Sequence, residues 1–148
     1  MPGSYQRIIV PVNGSSGDAR VLALVGDLVH RHQAAITLIY VVEVQQSMPL
    51  DAELPAEIDH GEAVLGRAED LAKSLVSPKL DRLTTDLLQA RSAGAAIVDE
   101  AIERNADAIV MATTIRTKHG KTQLGETSAY VLKNALCEVI VVRLAQAD

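Results

Sequence analysis

Between Thr113 and Leu124 stand Arg116, Lys118, His119 and Lys121, with no acid among them. Gly125 follows at once and opens a stretch of helical character. A helix N-terminus presents unpaired N–H groups and about half a positive charge, so segment and helix together have the chemistry to hold a phosphate. A solvated loop accounts for the same cations equally well. The other candidate is the turn-rich cluster Asn13-Gly14-Ser15-Ser16-Gly17, which closes an apolar run. Its Asn13 amide can both donate and accept hydrogen bonds.

Better-known constellations fail on inspection. No G-x-G-x-x-G follows the first apolar run, and turns explain Gly14 and Gly17 on their own. Gly120-Lys121-Thr122 ends like a phosphate-binding loop, but Ile115 occupies the position of the first glycine. The acidic pair that would hold magnesium after the first strand of a receiver domain is missing, with Asn13 in its place. His30, His32, His60 and His119 pair with no Cys or Asp at a catalytic spacing. Glu57 and His60 are i,i+3 on one helix, but without a second copy they read as a solvated face. Cys137 stands alone, so it makes no intramolecular disulfide or zinc site and reads as a small buried hydrophobe. No catalytic or metal-binding residue is nominated, and nothing in the sequence demands an enzyme.

The elements that must position these residues are five apolar runs alternating with four stretches of helical period, the mark of βα units on a mostly parallel sheet with helices on both faces. Strands are predicted at Ile8 to Val12, Ile36 to Val42, about Thr84 to Ala90, Asp107 to Ala112, and Val139 to Val142. Helices are predicted over Val21 to Val29, about Ile58 to Val76, after a Ser92 cap through Ile102, and about Gly125 to Leu136. Thr113 to Leu124 is predicted to be a polar loop. Pro11 conflicts with a central strand because it lacks a ladder N–H, although it lies at the strand's carboxyl end. In open α/β sheets, ligands bind outside the carboxyl ends of the strands, where neighbouring loops diverge. If strands one and four are neighbours, the Asn13 cluster and the cationic segment face each other there.

Composition fits one domain over residues 1–148, with 48% hydrophobic residues and a formal net charge of −5. The acidic balance argues against a nucleic-acid partner. No apolar stretch approaches the ~20 residues of a membrane span. Met1 to Arg7 runs into a strand instead of the apolar core of a secretory leader, so a cytoplasmic setting is expected. Between Arg31 and Arg67 there is no Lys or Arg, while Glu43, Asp51, Glu53, Glu57, Asp59 and Glu62 make that interval anionic.

The segments Ile8-Ile9-Val10-Pro11-Val12-Asn13-Gly14-Ser15, Leu38 to Val42, Asp107 to Ala112, and Leu124-Gly125 through Tyr130 to Cys137-Glu138-Val139-Ile140-Val141-Val142-Arg143 form a pattern in order and spacing. Over almost the whole chain it resembles the universal stress protein family, of the adenine-nucleotide alpha-hydrolase-like superfamily. The resemblance implies an α/β single-domain open parallel five-stranded sheet of order 3-2-1-4-5. It also implies a homodimer through the last strand (Val139, Ile140, Val141, Val142), where an uncovered apolar edge invites pairing. Some members bind ATP or AMP at the carboxyl edge, with or without magnesium; others bind no nucleotide.

Carried over by position, the ligand-contacting set is Pro11, Val12, Asn13, Val41, Val42, Met111, Ala112, Arg116, Lys121, Gly125, Thr127 and Ser128. Asn13 stands where the family often has an Asp that meets ribose or adenine. Val41 and Val42 would lie beside the base, with Met111 and Ala112 at the end of the fourth strand. Of the glycine motif G-x2-G-x9-G followed by Ser or Thr, only Gly125 is present. Ala112 and Ile115 replace the earlier glycines, and Glu126 replaces the hydroxyl. A carboxylate ~4 Å from a phosphate at an effective dielectric of ~20 costs on the order of 4 kcal/mol. Glu126 could instead cap its own helix or hold magnesium against the phosphates. The expected function is a stress-response regulatory protein that senses a phosphorylated ligand with a weakened phosphate motif. The alternatives are a dimeric interaction module without nucleotide, using the acidic surface, and a weak nucleotide phosphohydrolase.

Overall fold

The computed structural model describes residues 5–29, 33–77, 82–118 and 121–145, with the side chains of 116–118 and 121–123 outside that description. His30, His32 and His119 therefore lie outside the described residues, as do the side chains of Arg116, Lys118 and Lys121.

Along the chain the elements are β1 (Arg7–Pro11), α1 (Gly17–Leu28), β2 (Ala35–Glu43), α2 (Pro55–Leu75), β3 (Leu83–Ala90), α3 (Ala93–Glu103) and β4 (Ala108–Thr113). They continue with β5 (Ile115–Lys118), β6 (Lys121–Leu124), α4 (Glu126–Asn134) and β7 (Glu138–Arg143). The main sheet runs β3-β2-β1-β4-β7 and every pairing in it is parallel. This is the 3-2-1-4-5 order the resemblance implies.

Period-two alternation divides the core between the two faces. Ile8, Val10, Ile36, Leu38 and Val110 pack with Val21, Leu22, Val25, Val64, Ala68 and Ala72, beneath α1 and α2. Ile9, Ile39, Ile109 and Met111 point the other way, against Ile97, Val98, Ala101 and Val131 of α3 and α4. A central strand buried on both faces thus reads as an unbroken apolar run, and each fully buried Ile or Leu contributes ~1.5–3 kcal/mol. No helix among the described residues is long and apolar enough to cross a membrane.

Pro11 is accommodated by where pairing stops. Val12 N–H donates to Ile39 O on β2 at 2.9 Å, and Asp107 N–H donates to Arg7 O at 2.8 Å on the β4 side. Alternation along the strand therefore aims position 11 at β4. The β1–β4 pairing ends at Ile9↔Ile109, so Pro11 withholds no ladder bond. The same divergence opens the sheet between β1 and β4.

The predicted polar loop from Thr113 to Leu124 is corrected to an antiparallel pair, β5 with β6, in the register Ile115↔Leu124 through Lys118↔Lys121. Its β-branched residues, Ile115, Thr117 and Thr122, favour extended backbone. Helix α2 begins three residues before the predicted start, at Pro55, whose missing N–H costs nothing in a first turn.

Candidate functional site

Where β1 and β4 part, a crevice of about 860 Å³ opens at the carboxyl edge of the sheet. The loop after β1 forms one wall. Asn13 Oδ1 accepts the Ser15 N–H at 2.9 Å, and Ser15 Oγ accepts the Gly17 N–H at 3.2 Å. The Asn13 carbonyl is thus used inside its own loop, so toward the crevice the side chain offers its NH2 as a donor. Gly14 adopts φ +87, a left-handed conformation open to glycine.

Asp18, in the first turn of α1, holds this loop from below. Its two carboxylate oxygens accept the Asn13 N–H at 3.1 Å and the Gly14 N–H at 2.8 Å. The residue is buried, and burial raises its pKa above the usual carboxylate range, against the opposing pull of the two amides and of Arg67. Two backbone donors that a phosphate would seek are therefore already taken by an anion.

The floor and far wall are apolar, from Ile39 and Val41 of β2, Ile97 of α3 and Met111 and Ala112 of β4. Glu43, ending β2, accepts the Ala93 N–H at 3.0 Å, and Ser92 Oγ accepts the Ala95 N–H at 3.2 Å, so the start of α3 is capped from both sides. The start of α4 differs: Gly125 is its N-cap, and among the described residues no side chain caps the first turn. Glu126, Thr127 and the buried Ser128 bring that turn to the crevice.

Of the residues nominated from sequence, Pro11, Val12, Asn13, Val41, Met111 and Ala112 line the crevice, and so do Gly125, Thr127 and Ser128. Val42 does not. It is buried, and alternation places it on the same sheet face as Leu38 and Tyr40, which pack under α2. The side chains of Arg116 and Lys121 lie outside the described residues. Ile115, half-buried in β5, is not among the lining residues, whereas Glu126 is.

Sequence reasoning missed Asp18 and Ala93, read Glu43 only as part of an anionic surface, and set Tyr40 aside as a buried or interface ring. An acid five residues after Asn13, in a helix's first turn, is a readable sign of loop capping. Tyr40 reaches the crevice from the α2 side of the sheet, where its ring meets His60 edge-on at 6.0 Å. Gly61 makes room for it, since a Cβ there would lie 2.6 Å from Tyr40 Cδ1. The charged side chains described in the lining are Asp18, Glu43 and Glu126, all acidic.

A model of the universal stress protein family matches residues 4–143. A universal stress protein of Methanocaldococcus jannaschii is 29% identical over 145 residues, covering 94% of this chain and 82% of the relative. Among solved structures, a universal stress protein from Archaeoglobus fulgidus superposes with a TM-score of 0.74 at 21% identity, covering 93% of this chain and 98% of that one. In its complex with dAMP the TM-score is 0.70 at 19% identity, with the same coverage of both chains. A universal stress protein in complex with cAMP gives 0.67 at 20% identity, covering 95% of this chain and 98% of that one. At these identities the superpositions establish a shared fold.

Proposed function

The chain belongs to the universal stress protein family, and from that premise we propose that it is a ligand-sensing regulatory protein whose crevice takes an adenine nucleotide with a short phosphate chain. The observation that carries this reading is the pairing of an apolar slot with an uncapped helix start. Ile39, Val41 and Met111 line one part of the crevice, and the first turn of α4 lies across it. An adenine ring suits the slot, and one phosphate suits the helix terminus. Solved relatives in complex with dAMP and cAMP, each a nucleotide with a single phosphate, support the choice.

Three carboxylates disfavour a longer phosphate chain. Glu126 is exposed, so solvent screening lowers its like-charge cost well below the ~4 kcal/mol of a half-buried pair, to ~1 kcal/mol. Asp18 is buried and repels more strongly. Asn13, presenting its amide NH2, suits an acceptor atom of the base or ribose, where a carboxylate would take a donor. The proposal extends to a cytoplasmic setting and a homodimer joined along β7.

Isothermal titration with AMP, cAMP and ATP, each with and without magnesium, tests the reading. The expected order without magnesium is AMP or cAMP at least tenfold tighter than ATP. Sub-micromolar ATP binding without magnesium overturns it.

A further inference from the structure

At the amino end of the sheet, on the face beneath α3, lies a second hollow of about 260 Å³. Arginines from three separate elements line it: Arg7 at the start of β1, Arg82 just before β3, and Arg104 closing α3. The register explains their convergence. Arg7 pairs with Ala35, and the Ile36 N–H donates to Arg82 O at 2.9 Å, so both arginines flank Ala35 in adjacent strands. The methyl side chain of Ala35 leaves the space between them open. One row on, Ile9, Thr37 and Thr84 stand level, and the two threonines add hydroxyls to the same face.

Two details distinguish this hollow from a chance grouping of surface cations. Thr37 is only 7% exposed and lines the hollow, yet its hydroxyl has no hydrogen-bond partner among the described residues. That oxygen is open to the hollow, because no fully buried side-chain oxygen or nitrogen among the described residues lacks a partner. Arg104 is held in place from one side, with Nε donating to Glu100 Oε2 at 2.7 Å and Nη2 to Asp86 Oδ2 at 2.9 Å. Its Nη1 has no partner among the described residues. Those two carboxylates outnumber the single charge of Arg104, whereas Arg7 and Arg82 form no ion pair among the described residues, so the three arginines exceed the two acids by one charge. Asp107, at the same end, is engaged by the N–H groups of Gln6 and Arg7.

We propose that this hollow binds the phosphoryl group of a small phosphomonoester, with Arg7 and Arg82 meeting its charge, Arg104 Nη1 donating, and the Thr37 hydroxyl completing the shell. Guanidinium groups match tetrahedral oxyanions through paired N–H donors, and Arg7 and Arg82 bring such donors to the hollow without an ion pair among the described residues. The volume lies below the ~300–1,000 Å³ usual for larger organic ligands, which suits a phosphoryl group with a small body attached. The site is independent of the carboxyl-edge crevice and of the reading given to it.

The test is amide chemical-shift titration of the full chain with inorganic phosphate, with ribose 5-phosphate, and with potassium chloride at matched ionic strength. Saturable shifts at Arg82, Thr84 and Ala106 are expected with both phosphates, tighter for the ester. Arg82→Gln should weaken binding at least tenfold, and Thr37→Val at least threefold with an unchanged melting temperature. If Thr37→Val lowers the melting temperature, Arg7→Gln and Arg82→Gln, both at exposed positions, decide the matter. Shifts that never saturate, that chloride reproduces, that fall only at Asn13 and Gly125, or that persist unchanged in the arginine variants overturn the proposal.

Discussion

Asp18 shows how one side chain sets what the crevice accepts. Burial raises its pKa above that of the unfolded chain, so ionising it costs the folded state more than the unfolded one. Its contribution to stability is full below the ordinary value of 3.8 and is lost as pH rises through the higher folded-state value. Asp18→Asn removes that titration. Urea unfolding of both proteins from below 3.8 to neutral pH should show the wild type losing ground to the variant across that window, and parallel profiles would refute the assignment. Glu126 acts on the ligand instead. Being exposed, it is worth ~1 kcal/mol against a phosphate chain, so Glu126→Gln should tighten ATP about fivefold and AMP by less. Titration calorimetry reads this, and equal effects on both nucleotides would remove Glu126 from the phosphate path. Glu126 could be nominated from sequence because it interrupts a known motif. For Asp18 the spacing signals a capping acid, but which two N–H groups it holds emerges only once α1 turns its first residues back under the loop.

At the scale of elements, close packing of α1 on α2 rests on Gly26, which the apolar pattern does not reveal. A Cβ on Gly26 would sit 2.5 Å from Leu75 O, where α1 crosses the end of α2, and backbone cannot swing aside as a flexible side chain can. Gly26→Ala should therefore cost ~1–3 kcal/mol as the two helices are forced apart. Gly66, in the middle of α2, has nothing within 4 Å of such a Cβ, so Gly66→Ala should stabilise by ~0.5–1 kcal/mol through helix propensity. Denaturant midpoints of the pair should move in opposite directions, and a shared direction would show that propensity alone governs both. The parallel sheet was readable because Ile8 to Val10 and Ile36 to Ile39 must be covered on both faces. The β5–β6 pair was not, because the cations at Arg116, Lys118 and Lys121 mask an alternation carried by so few β-branched residues.

Over the whole molecule, the strand order leaves β7 with one neighbour, β4, and one open side among the described residues. Large apolar side chains are exposed on the segment leading into that strand: Leu136 is 82% exposed, and Leu132 of α4 is also exposed. An uncovered strand edge beside apolar surface is a template for a second chain. The backbone specifies which residues would pair. Leu144 N–H donates to Thr113 O on β4 at 3.0 Å, so by alternation the N–H groups of Ile140 and Val142 also face β4. Those of Val139, Val141 and Arg143 face outward. Val141→Pro therefore deletes an intermolecular donor while sparing the ladder to β4, and proline is tolerated on an edge strand in that orientation. Ile140→Pro removes a donor inside the sheet and should cost ~3 kcal/mol or more. Light scattering at micromolar concentration should find a wild-type dimer and a folded Val141→Pro monomer with the wild-type circular dichroism, while Ile140→Pro loses thermal stability. A wild-type monomer, or a Val141→Pro dimer as tight as the parent, would place the seam elsewhere or nowhere. The exposed leucines would then need another covering.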